Sequence, residues 1–111
     1  MDELEVGRSV DEAPSGGGRV HRVHAKGEVD IDSAPLLLAQ IEASIADGAT
    51  LVILDASGVS FLDSSGIRAI VTASNALEAQ GGRLLIEGMR GAVQRVMEVA
   101  GLLDKYRSDE P

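Results

Sequence analysis

The chain has no cysteine among its 111 residues, which excludes disulfides, thiol chemistry and cysteine-held metals. Aromatic residues make up only 2%. The core must therefore be built from Leu, Val, Ile and Ala, and no aromatic platform exists on which bases could stack. Positive charge is scarce as well. Ten Lys and Arg stand against eighteen Asp and Glu, giving a formal net charge of −8 and an isoelectric point near 4.6. That balance argues against nucleic acid and against an anionic membrane surface, both of which attract basic patches. It favours a partner with a basic surface. No apolar run is long enough to span a bilayer, and Met1-Asp2-Glu3 lacks the positive charge of a secretory leader, so a cytoplasmic protein without a membrane span is expected.

The length suits one domain with one modest core. Leu4, Val6 and Val10 share a parity and suggest a short edge strand, followed by a loop over 11–18. Arg19 to Ala25 reads as a second strand pairing back on it, ending at Lys26-Gly27. Asp32 or Ser33 is placed to cap a helix whose first turn holds Pro35. Its apolar positions are Leu37, Leu38, Ile41 and Ile45, and Gly48 ends it. Leu51-Val52-Ile53-Leu54 is an unbroken apolar run, which predicts a strand buried on both faces. A short loop then leads to Asp63-Ser64-Ser65, all N-cap residue types, and to a helix carrying Ile67, Ile70, Val71, Ser74 and Leu77. A strand at 83–88 and a helix from Gly91 follow, the latter with Val93, Val96, Met97 and Ala100 inward. The tail from Asp104 is polar and expected to fray. Alternating strands and helices after an antiparallel start predict a single α/β domain.

Three catalytic or ligand-binding readings fall short. Leu62-Asp63-Ser64-Ser65-Gly66 has the strand–turn–helix form of a nucleophile elbow but lacks the leading glycine, and nothing in the sequence brings His21 or His24 to Ser64 as a base. The two histidines are three apart on a strand, so they point to opposite faces and cannot jointly hold a metal in the ordinary way. Gly16-Gly17-Gly18 precedes a strand rather than a helix, and no phosphate-cradling glycine motif is present. No cofactor is expected. Asp63-Ser64-Ser65-Gly66, on local sequence alone, reads first as a helix cap.

The wider pattern adds to that reading. Gly27-Glu28-Val29-Asp30 leading into a helix, then Leu54-Asp55-Ala56-Ser57-Gly58-Val59, Phe61-Leu62-Asp63-Ser64-Ser65-Gly66-Ile67, Gly81-Gly82-Arg83-Leu84 and Val96-Met97-Glu98-Val99-Ala100-Gly101-Leu102 together resemble the STAS domain family, and within it the bacterial anti-sigma factor antagonists. The likeness spans about Val20 to Tyr106. Residues 1–19 are poorly matched, and 107–111 form a polar tail. The resemblance implies a single STAS-like domain over 1–111, with a mixed sheet of four to five strands flanked by three to four helices. It implies that Ser64 is the phosphoacceptor, with Ser65 next in line, and that Asp30, Asp63, Ser65, Gly66 and Ile67 belong to the partner-binding surface. Val29 stands where leucine is more usual, and Arg68 where a small residue is frequent.

The partners implied are an anti-sigma factor that is also a serine kinase, and a serine phosphatase. The protein itself would be a binding module and a substrate, not an enzyme. Other roles known for STAS-like domains, in stress-signalling or lipid-transport complexes, as nucleotide-binding modules or as scaffolds, are the alternatives.

Overall fold

The computed structural model describes residues 3–12 and 19–108. β1 (Glu5–Glu12) and β2 (Arg19–Val29) form an antiparallel pair. α1 (Ala34–Ala46), β3 (Ala49–Leu62), α2 (Ser64–Glu78), β4 (Arg83–Glu87), α3 (Gly91–Val99) and the short α4 (Leu103–Tyr106) follow. The strands lie in the order β1-β2-β3-β4, with β2, β3 and β4 mutually parallel. This is the mixed four-stranded α/β architecture that the strand–helix alternation predicts.

One face of the sheet supplies the core. Val23, Leu54 and Ile86 stand side by side across three strands and are buried. Leu37 of α1, Ile70 of α2, and Val93 and Met97 of α3 close over this face around a small apolar space. Alternation along β2 follows from this one-sided burial: His21, Val23, Ala25 and Val29 point in, while Arg22, His24 and Lys26 point out.

The expectation of a strand buried on both faces holds in part: on the outer face of β3 Ile53 is only 9% exposed, while its neighbours Leu51 and Asp55 are half-buried. The Arg22–Glu87 ion pair, at 2.6 Å, joins β2 to β4 across β3 and covers this row with its own stems. An uninterrupted apolar run is thus compatible with one covered face and one closed by long polar side chains.

Several boundaries differ from the sequence expectation. β1 continues through Glu12, although a loop was expected from residue 11; residues 13–18 lie outside the described residues. β2 runs past Gly27 to Val29. Gly27 sits at a register shift with φ 113°, and a Cβ there would lie 2.5 Å from the Glu3 carbonyl oxygen, so the ladder survives a residue that usually ends one. β3 persists through Ser57-Gly58-Val59-Ser60 to Leu62, because pairing with β2 holds residues whose pattern reads as a loop.

Ala100 is exposed rather than inward, since α3 ends at Val99. Of the tail expected to fray, residues 104–108 are instead anchored, and residues 109–111 lie outside the described residues. Leu103 and Tyr106 are buried, and the Ser108 N–H donates to the Ile86 carbonyl at 2.8 Å. His21, expected at the strand surface or half-buried, is fully enclosed, and His24 points to the opposite, open face.

Candidate functional site at the ends of two parallel strands

Val29 and Leu62 are paired at the C-terminal ends of β2 and β3. The Asp63 N–H donates to the Val29 carbonyl at 3.3 Å, which ties the β2–α1 turn to the β3–α2 turn. Asp30–Ser33 and Asp63–Ser65 therefore emerge side by side at one end of the sheet.

Of the three possible caps for α2, Asp63 takes the position. Its backbone is extended, and Oδ1 accepts from the Ser65 N–H at 2.9 Å and the Gly66 N–H at 3.3 Å. Ser64 becomes the first helical residue. Its side chain is exposed and makes no hydrogen bond among the described residues. The hydroxyl is thus free at the positive end of a helix dipole, where a negative group is favoured. Ser65 and Ile67 are half-buried, and Ile67 packs against the core while keeping part of its surface outside.

Gly66 is buried. A Cβ there would run into Leu62 Cδ1 and lie 2.9 Å from Val29 Cγ1. Its part in the site is the close seating of helix on sheet, which holds Ser64 at the surface.

The second turn is organised by Asp30; of the two expected caps, Ser33 takes the N-cap position of α1 and Asp32 does not. Asp30 Oδ1 accepts from the Asp32 and Ser33 N–H groups, both at 3.0 Å. The Ser33 hydroxyl accepts from the Asp30 N–H and donates to the Glu28 carbonyl, both at 2.9 Å. Ser33 stands at the N-cap of α1 with no side-chain bond to the helix. The Ser33 N–H, then the Ser33 hydroxyl, hold the Asp30 carboxyl below its ordinary value; partial desolvation opposes them, and the Asp32 N–H adds to them. Asp30 is therefore a fixed anion, half-buried, with Oδ2 left for an outside donor.

Beside it opens a groove of about 350 Å³ lined by Glu3, Leu4, Glu28, Asp30, Asp32 and Leu36. Its charge is wholly negative. Ile31, 74% exposed, follows Asp30 in the turn, and Phe61, 44% exposed, precedes the Leu62-Asp63 corner. Sequence reading missed this groove and both apolar residues. Phe61 had a signal, as the outward neighbour of an inward Leu62, whereas Glu3, Glu28 and Leu36 come from three separate segments of the chain.

With this geometry in view, the likeness to known proteins is informative. The family model of the STAS domain matches residues 17–109. The anti-sigma-B factor antagonist of Bacillus subtilis strain 168 is 32% identical over 83 residues, covering 75% of each chain. The solved structure of the anti-sigma factor antagonist SpoIIAA in its unphosphorylated form is 25% identical with a TM-score of 0.74, covering 100% of this chain and 89% of that one. The Bacillus cell fate determinant SpoIIAA in its phosphorylated form shares the fold at 21% identity, with a TM-score of 0.66 over 95% of this chain and 92% of that one.

Proposed function

The chain belongs to the STAS domain family, and from that premise we propose that it is an anti-sigma factor antagonist whose binding is switched at Ser64. In the unphosphorylated state it binds an anti-sigma factor and releases the sigma factor that this partner holds. The partner also acts as a serine kinase: Ser64 Oγ forms a bond to the γ-phosphorus of ATP, the bond to ADP breaks, and the hydroxyl proton is lost. A serine phosphatase restores the hydroxyl. ATP and its metal belong to the kinase. The antagonist serves as substrate and docking surface in the cytoplasm.

One observation carries this reading: Ser64 is exposed at the first position of α2 while Asp63, not Ser64, caps the helix. Modification of the hydroxyl therefore removes no hydrogen bond that holds the fold. A phosphoserine adds about −1.5 to −2 charges and three acceptor oxygens. Within the protein the helix N-terminus stabilises that charge. A docked partner meets it differently. The dianion stands on the docking face, next to the Asp63 cap and the turn of Asp30, where a basic group of the partner would otherwise lie in the acidic groove. Ile67, Ile31 and Phe61 supply the apolar part of the contact, with Ser65 at its edge. The switch thus works by local repulsion and steric block, without refolding.

The test uses two variants and the kinase partner. Ser64→Ala should bind constitutively in a pull-down and Ser64→Glu should bind weakly; equal binding by both would refute the switch. Incubation with partner and ATP should add one phosphate to the mass of the wild type and none to Ser64→Ala. Labelling that persists in Ser64→Ala would move the acceptor to Ser65.

A further inference from the structure

The open face of the sheet carries a second ordered set of reactive side chains, away from the helices. His24 of β2 and Asp55 of β3 are direct neighbours in register, and Gly7 of β1 stands opposite His24 on the other side. With no side chain at Gly7, the imidazole is reached instead by Ser9, two residues further along β1. His24 Nδ1 lies 3.4 Å from Asp55 Oδ2, and His24 Nε2 lies 3.4 Å from the Ser9 hydroxyl oxygen. Asp55 is itself held in place: its Oδ1 accepts from the Ser57 N–H at 3.0 Å and the Ser57 hydroxyl at 2.7 Å. Oδ2 is left to accept a proton carried on Nδ1, the tautomer in which the Nε2 lone pair faces the serine.

The order carboxylate, imidazole, hydroxyl is the one required to make a serine nucleophilic, and it is recognised by geometry rather than by position in the chain. His24 is half exposed, so a substrate has access. A groove of about 470 Å³ adjoins the imidazole, lined by Glu5, Gly7, His24, Lys26, Asp55 and Ser57, with Ser9 beyond its edge.

We propose that Ser9 and His24, with Asp55 as positioning residue, form an acyl-transfer site for short-chain carboxylic esters with good leaving groups. Ser9 Oγ attacks the ester carbonyl carbon while His24 Nε2 takes the hydroxyl proton. The carbon–oxygen bond to the alcohol portion breaks, and the proton passes from His24 to the departing oxygen. Water, deprotonated by the same nitrogen, then hydrolyses the acyl-serine and releases the carboxylic acid. The site shares no residue with the Ser64 switch and stands or falls separately from it.

The experiment treats the full chain with p-nitrophenyl acetate, follows p-nitrophenolate release, and locates the acetyl group by peptide mass mapping. One acetyl per chain on Ser9 is expected before steady turnover. Ser9→Ala should abolish it, and His24→Gln should slow acetylation of Ser9 by about 100-fold, the lower end for a positioned base. Asp55→Asn should slow it too, and Asp55→Glu, which restores a carboxylate, should recover it. Acetylation confined to lysines, or acetylation of Ser9 undiminished in His24→Gln, would overturn the proposal.

Discussion

Asp63 satisfies two of the N–H groups that open α2 with a single carboxylate oxygen, at 2.9 and 3.3 Å. Asp63→Ala leaves both without a side-chain acceptor and should lower stability by about 1 kcal/mol, the usual cost of a lost cap. Asp63→Asn keeps an acceptor oxygen and should retain most of it; urea midpoints distinguish the two. His21 presents the opposite situation, a buried polar group whose two ring nitrogens have no hydrogen-bond partner among the described residues. Burial, and then the Arg8 guanidinium, push its pKa below the ordinary 6.5; Asp47 opposes them and Arg19 adds to them. Arg8 comes from β1, Arg19 from β2 and Asp47 from the end of α1. The unfolded chain therefore binds a proton near pH 6.5 that the folded chain still refuses. Stability contributed by the neutral ring is complete above that value and falls as the pH drops below it. His21→Leu should flatten the decline in urea midpoint between about pH 7.5 and 5.5; an unchanged decline would show that other groups cause it.

At the scale of elements, α4 is the segment that pattern reading gets wrong, and its energetics follow from one side chain. Tyr106 is 1% exposed and its hydroxyl has no hydrogen-bond partner among the described residues. Tyr106→Ala should cost about 3–5 kcal/mol, as for other large-to-small changes at buried aromatics. Tyr106→Phe removes only an unpaired hydroxyl and should be neutral or stabilising by about 1 kcal/mol. A loss of several kcal/mol in Tyr106→Phe, read by urea denaturation, would mean that the hydroxyl has a partner in solution.

The reason α4 was illegible is physical. Four residues give one helical turn, its middle is Asp104-Lys105, and only Leu103 and Tyr106 turn inward. The far halves of β2 and β3 were hidden in the same way. Gly27 and Ser57-Gly58 are turn residues by composition, yet here they lie at or beside the register shifts of a ladder. By contrast α1, α2 and the inner half of β3 were legible, because apolar spacing encodes a buried stripe directly. At the site, Ser64 and Asp63 could be read from capping chemistry and motif. The acidic groove could not, because Glu3, Glu28 and Leu36 meet only through topology.

For the whole molecule, a net charge of −8 and a groove whose charged lining residues are all carboxylates bias it toward a partner with a basic surface. Two electrostatic effects then act at different ranges. The summed negative field speeds the encounter over separations up to the Debye length, about 10 Å at 0.1 M salt, so the association rate of the unphosphorylated form should fall as salt is raised. In the proposed switch, a phosphate on Ser64 would act within contact distance, where partner and antagonist exclude solvent and screening is weak. Raising salt from about 0.1 to 1 M shortens the Debye length to about 3 Å. It should therefore weaken binding of both forms while leaving the affinity ratio between them nearly unchanged. Titration calorimetry with the kinase-inactive partner at both salt concentrations measures that ratio. Its collapse toward one at high salt would mean that the switch operates through long-range charge, and that the exposed position of Ser64 on the docking face is incidental to it.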